Sequence, residues 1–211
     1  MVFERPADSQ LPLRQRKKLR TMRRIQHVAL ELLAGSSYDE VTVEQIAAAT
    51  DVSPSTVYRY FQTKEGIFLW DEYDEAVMEV FRRRLTETNP MQAMTEAIGA
   101  VLAGGSDPDL DQQTADFLSV VSHIPQLRES LAVRLDQLRR DLAREIAETG
   151  WPPLESAVFA GAMVGSFTGL MEAWVATGEE EPLTSSLGRA VRMVASGFDS
   201  VFDTGPSGRA G

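Results

Sequence analysis

Residues 42–64 read TVEQIAAATDVSPSTVYRYFQTK, and this stretch holds two helix starts separated by a turn. Thr42 is placed to cap a first helix over 42–49: Gln45, three residues on, completes a capping box, and Val41 and Ile46 form a hydrophobic staple. After Thr50, Asp51 and Val52 comes the second start, with Ser53 as N-cap and Pro54 at the first helical position, where a missing N–H costs nothing. This second helix is short and ends near Phe61. Val57 and Phe61, four apart, share a face that turns inward, while Ser55, Thr56, Arg59 and Tyr60 share the opposite one. Small hydroxyls at the amino end and an arginine one turn later suit the major groove of DNA, where Arg pairs bidentately with guanine and Thr meets a thymine methyl. Those four are the candidate base-reading residues. Thr42, Ser53, Tyr58 and Lys64 stand at helix starts or on a helix edge and are the candidate phosphate contacts.

Outward from this stretch the apolar spacing is helical and no strand is expected, so the fold class is all-α with about nine helices. A helix is predicted over 18–34 with Ile25, Val28, Ala29, Leu32 and Leu33 on one face, ended by Gly35, Ser36 and Ser37. Lys64 opens a longer helix reaching Glu87, with Ile67, Trp70, Val77 or Met78, Phe81 and Leu85 inward. Helices follow over 90–103, 110–122, from Pro125 to the break at 150–153, over 154–177 and over 183–202, with an acidic loop at 178–182. The expected organisation is a flexible basic arm (1–17), a helix-turn-helix unit (18–64), a helical body (65–203) and a disordered tail (204–211).

The net charge of −10 argues against a polyanionic partner only until it is divided. Residues 1–64 carry 10 basic and 7 acidic side chains, a net +3, whereas 65–211 carry 11 and 24, a net −13. Seven of the ten basic residues fall within 14–24, so the amino-terminal part favours a polyanion that the remainder repels. Cysteine is absent, which excludes disulfides and thiolate chemistry. No signal peptide is read at the start and no run of about 18 uninterrupted apolar residues is present, so a cytoplasmic protein without a membrane partner is expected. Enzymatic signatures are missing: there is no phosphate-binding glycine loop, and the GSFTG at 165–169 lacks a central serine. His27 and His123 have no ligand companions at metal spacing, so neither catalytic residues, a metal nor a cofactor is expected.

The longer stretch VTVEQIAAATDVSPSTVYRYFQTKEGIF, residues 41–68, resembles the DNA-binding signature of the TetR family of bacterial regulators: a capping Thr42, the pair Ile46 and Ala47, a turn ending in Val52 and Ser53, Tyr58 with Phe61, and Lys64 with Glu65. Two positions depart from the pattern, which usually has glycine where this chain has Asp51 and glycine where it has Ser37. Aspartate tolerates the left-handed turn better than most residues. The resemblance implies a homodimeric, ligand-responsive repressor that leaves a palindromic double-stranded DNA operator when a small hydrophobic effector binds. The alternatives are a helical protein-interaction module or an activator without an effector.

By the same resemblance an effector pocket lies in the body, and Trp70, Tyr73, Met78, Phe81, Phe117, Met163, Phe167, Met171 and Trp174 are its candidate lining. A small residue recurs at every fourth position, Ala157, Gly161, Gly165, Gly169 and Ala173, a stripe that lets another backbone approach closely. In the family the last two helices pair with their copies in a second chain. That makes the stripe, with Leu187, Val191, Val194 and Phe198, the expected dimer surface.

Overall fold

The computed structural model describes residues 12–102, 117, 118, 120, 121, 123–176 and 183–202. Among them are nine helices and no strand: α1 (Leu13–Ala34), α2 (Val43–Ala49), α3 (Pro54–Phe61), α4 (Lys64–Phe68), α5 (Glu72–Leu85), α6 (Pro90–Leu102), α7 (Pro125–Glu148), α8 (Pro153–Ala176) and α9 (Leu183–Phe202). The expected stretch 1–11 of the arm, most of the helix at 110–122, the loop at 178–182 and the tail at 204–211 lie outside the described residues.

Two helix boundaries differ from the sequence reading, each for a local reason. Helix α1 begins at Leu13, because the Pro12 carbonyl accepts from the N–H groups of Gln15 (2.9 Å) and Arg16 (3.0 Å) and no breaker follows. Residues 13–17, expected in a flexible arm, are therefore helical, and their charge says nothing against helix because Arg, Gln and Lys are good helix formers. The long helix expected over 64–87 is two helices, α4 and α5. At the break the Gln26 side-chain amide donates to the carbonyls of Ile67 (3.1 Å) and Trp70 (2.7 Å), groups that a continuing helix would have used itself.

Contacts divide the chain into two units, residues 1–72 with 121–130, and residues 73–120 with 131–211. In the first, Met22, Ile25 and Ala29 of α1 close over Tyr38, Val41, Val43, Ile46, Ala47, Val57, Phe61, Ile67 and Phe68, all buried. Removing each large apolar side chain from water contributes about 1.5–3 kcal/mol, enough to hold three short helices that are not stable alone.

The second unit is built on Phe81 and Leu85 of α5, Met91, Met94 and Ile98 of α6, Leu142 and Ile146 of α7, Trp151, Phe159 and Met163 of or beside α8, and Val191 of α9. Ion pairs fasten its helices: Arg82 reaches Glu145 through two bonds of 2.9 and 3.0 Å, Arg134 reaches Asp74 at 2.7 Å, and Arg84 joins Glu87 and Glu96.

Helix α8 has a buried side, Ser156, Phe159, Ala160, Met163, Met171 and Trp174, and an exposed one that is also apolar. Leu154 is 72% exposed and Val158 52%. The stripe Ala157, Gly161, Gly165, Gly169 and Ala173 runs along this open side, and among the described residues no atom beyond the helix's own backbone lies within 4 Å of where a Cβ would stand at the three glycines. Among the described residues, therefore, no other element makes the close approach that the stripe permits. By length and composition residues 153–174 would also cross a membrane, at mean hydropathy 1.3, but the buried side of α8 is already committed to the core of its unit.

Of the α9 positions expected at the dimer surface, one is sealed in the chain's own core and two are only partly buried. Val191 is 5% exposed within the core of the second unit, with Leu187 and Val194 packed against that core, because α9 spends its apolar stripe on α8 and α6. The Phe198 side chain lies outside the described residues.

Candidate nucleic-acid interface

The chain between α2 and α3 is fixed by its own hydrogen bonds. Thr42 accepts from the Gln45 N–H at 3.2 Å, and the Gln45 side chain accepts from the Thr42 N–H at 2.8 Å, so the capping box is complete. The buried Thr50 hydroxyl donates to the Ile46 carbonyl at 2.7 Å, which stops the helix. Asp51 then takes φ 55°, the left-handed conformation for which glycine is usual, and its carboxylate meets Arg24 of α1 at 3.3 Å. The departure from the family pattern at this position is accommodated by the residue type that visits this region most readily after glycine.

At the start of α3 the Ser53 hydroxyl accepts from the Thr56 N–H (3.2 Å) and lies 2.8 Å from the Ser55 hydroxyl and 3.0 Å from that of Thr56. Arg59 donates to Thr56 at 3.4 Å, and its guanidinium stands 5.1 Å from the centre of the Tyr60 ring. The four residues read as base contacts therefore share one polar face, tied together by these contacts, while Val57 and Phe61 anchor the helix from beneath. Tyr58 is 46% exposed beside them. The face offers hydroxyl donors, hydroxyl acceptors and one planar cation, the set that reads base edges.

Lys64 is placed differently. Its ammonium donates to the Tyr38 carbonyl and stands 3.9 Å from the centre of the Tyr38 ring, and the Tyr38 hydroxyl donates to Glu65 at 2.7 Å. Burial and the neighbouring carboxylates push the Tyr38 hydroxyl far above its ordinary pKa, so it stays a donor. Its loop is held by Ser37, whose N–H and hydroxyl both donate to Glu40, at 2.9 and 2.8 Å. Those two bonds hold Glu40 below the usual carboxylate range.

Sequence reasoning missed Gly66. A Cβ there would stand 2.2 Å from the Phe61 carbonyl oxygen, a separation no side chain survives. The close approach follows from the reversal at Gln62, φ 65°, which turns α3 into α4. A glycine in the first turn of a helix, where it costs stability, was the available signal. The basic residues of 14–24 lie on α1, where Arg20, Thr21 and Arg24 line an open groove with Thr50, Asp51 and Val52.

Of the nine residues expected to line a pocket, those described in the second unit fall into different surroundings. Trp70 belongs to the first unit, edge-on to Phe61 with centroids 6.0 Å apart. Phe81 and Met163 are sealed in the core of the second unit, with Met78 packed against it. Met171 and Trp174 form a separate cluster with Leu118 and Leu170. Phe117 is half-buried, Phe167 is 39% exposed, and the Tyr73 side chain lies outside the described residues. Aromatic and methionine side chains at helical spacing mark core and pocket alike, which is why the sequence could not separate them.

Comparison with known proteins places this geometry. Residues 25–69 match the model for bacterial regulatory proteins of the tetR family, and residues 88–199 match the MftR C-terminal domain. The HTH-type transcriptional regulator TcmR of Streptomyces glaucescens is 36% identical over 64% of this chain; the match spans 62% of its own length. The Mycobacterium tuberculosis (strain H37Rv) protein named MftR is 24% identical over 87% of this chain and 94% of its own. A tetR-family transcriptional regulator from Streptomyces coelicolor, known from its crystal structure, aligns with a TM-score of 0.43 and 15% identity over 92% of this chain and 85% of its own.

Proposed function

Since this chain belongs to the TetR family, whose members are DNA-binding transcriptional regulators and not enzymes, we propose that it acts as a ligand-responsive homodimeric repressor of a palindromic operator. The observation that carries the DNA half is the α3 face: four polar side chains, Ser55, Thr56, Arg59 and Tyr60, exposed or half-buried over a closed apolar base. These four meet bases, and Thr42, Ser53, Tyr58 and Lys64 meet phosphates and fix register. Two copies of α3 enter successive major grooves about 34 Å apart.

The homodimer is supported by the open side of α8. Three glycines within one helix cost about 1 kcal/mol each relative to alanine, and a second copy of the chain laid against the stripe offsets that cost. A small hydrophobic effector bound in the body acts by preferring the conformation that DNA disfavours, which shifts the population without any continuous lever. In this reading residues 18–64 form the DNA-binding domain, 65–203 the effector and dimer domain, and the protein works in the cytoplasm.

Binding to the DNA upstream of its own gene, measured by gel shift at stated salt, tests the reading. Arg59→Ala and Lys64→Ala each weaken the complex; unchanged affinity in both rejects the assignment of the α3 face. Sedimentation gives a dimer, and a monomer at micromolar concentration rejects the α8 surface.

A further inference from the structure

We propose that Tyr38 is a positioning residue for DNA binding: it holds the Lys64 ammonium in place for a backbone phosphate, an inference that rests on the phosphate role of Lys64 proposed above. A lysine on a surface loses side-chain entropy when it commits to one contact. In this protein much of that ordering precedes DNA. The ammonium is held from two sides by one residue, on the ring face at 3.9 Å and by the backbone carbonyl. An ammonium has three donors, and the carbonyl occupies one, so donors remain for phosphate oxygens.

The Tyr38 hydroxyl has a second part in the arrangement. Glu65 follows Lys64 directly and is the nearest carboxylate in sequence to compete with a phosphate for the ammonium. The hydroxyl occupies that carboxylate at 2.7 Å. Tyr38 itself cannot drift: it is buried, its ring packs on Phe68 with centroids 5.6 Å apart at 60°, and its loop is tied by Ser37 to Glu40. The cage is thus anchored to the core on one side and to the loop on the other.

The test separates positioning from mere folding through the salt dependence of operator affinity, because each lost phosphate contact lowers the slope of log K against log salt by about 0.9. Lys64→Ala should lower the slope by roughly 1.8 for a dimer, and Tyr38→Leu should lower it comparably. The double variant should show no further loss, and Tyr38→Phe, which keeps the ring and the carbonyl but frees the Glu65 carboxylate to compete for the ammonium, should give a slope between those of the wild type and Tyr38→Leu. If Tyr38→Leu weakens binding at unchanged slope while Lys64→Ala lowers it, Tyr38 is only structural and the proposal is overturned. If Lys64→Ala itself leaves the slope unchanged, the phosphate reading fails and takes this proposal with it. A second measurement needs no variant: in the free protein the Lys64 ε-methylene protons should resonate upfield of those of exposed lysines, and unshifted protons overturn the cage.

Discussion

Helices α3 and α8 both turn an open face to solvent, and the two faces differ in polarity. On α3 the exposed groups already satisfy one another, Ser53 with Ser55 and Thr56, Thr56 with Arg59, Arg59 against Tyr60. Water can hydrate such a face, so it is stable free and available to DNA. On α8 the exposed groups are mostly apolar, Leu154, Val158, Phe167 and a row of glycine and alanine, with Glu172 a charged exception near its carboxyl end. One face is polar and internally satisfied, and the other is largely apolar and uncovered among the described residues.

The largest effect comes from undermining α3 from beneath. Gly66→Ala forces a Cβ onto the Phe61 carbonyl, and a backbone clash of this kind costs about 3 kcal/mol, which lowers Tm by roughly 6–12 °C in a chain of this size. DNA binding falls in step with the folded fraction, and an unchanged melting curve would reject the close approach. Arg59→Ala removes one group from the polar face and leaves its base intact. Operator affinity should drop by about 1–3 kcal/mol with discrimination lost at one base pair, while Tm stays put in calorimetry; a uniform loss over all sequences would instead make Arg59 a phosphate contact.

A smaller change tests the apolar face through its sign. Among the described residues the methyl of Gly165→Ala meets no atom beyond its own helix's backbone, so the helix should gain about 1 kcal/mol in a monomer. If a second copy lies on the stripe, the added methyl weakens the dimer, and sedimentation will show dissociation at concentrations where the wild type stays paired. Smallest is the contribution of Glu65. Burial opposes its ionisation, yet the hydroxyls of Tyr38 and Thr63, a backbone N–H and the charge of Lys64 hold its carboxyl below the ordinary 4.5. Its stabilisation is therefore full above that value and is lost as pH falls through the lowered one. Tm followed into acid should fall less for Glu65→Gln than for the wild type; parallel curves would remove Glu65 from the account.

The same contrast explains what the sequence made readable. The cap at Thr42, the start at Ser53 and Pro54 and the inward pair Val57 and Phe61 are local signals, each decided within one turn of helix, and all three stand as read. The break after Phe68 depends on Gln26, more than forty residues away in sequence, and no local pattern announces it. Helix α9 shows the other failure: its apolar stripe is real, but whether Val191 faces its own core or a second copy is settled by which helices pack beside it. Lys64 was readable as a cation and its holder Tyr38 was not, since the loop that joins them closes only in the folded chain.

The tie between Ser37 and Glu40 bears on any attempt to build chimeras of this protein. At this corner the Ser37 N–H and hydroxyl, at 2.9 and 2.8 Å from the Glu40 carboxylate, are the ties that hold the bend. Grafting Ser37→Gly alone would leave the carboxylate at position 40 without its two donors and release the corner, and Glu40→Ala alone would do the same from the other end. The segment 37–40 is exchangeable only as a unit, and a swap that splits it would loosen the cradle beneath the DNA clamp while every residue in the clamp itself remained native.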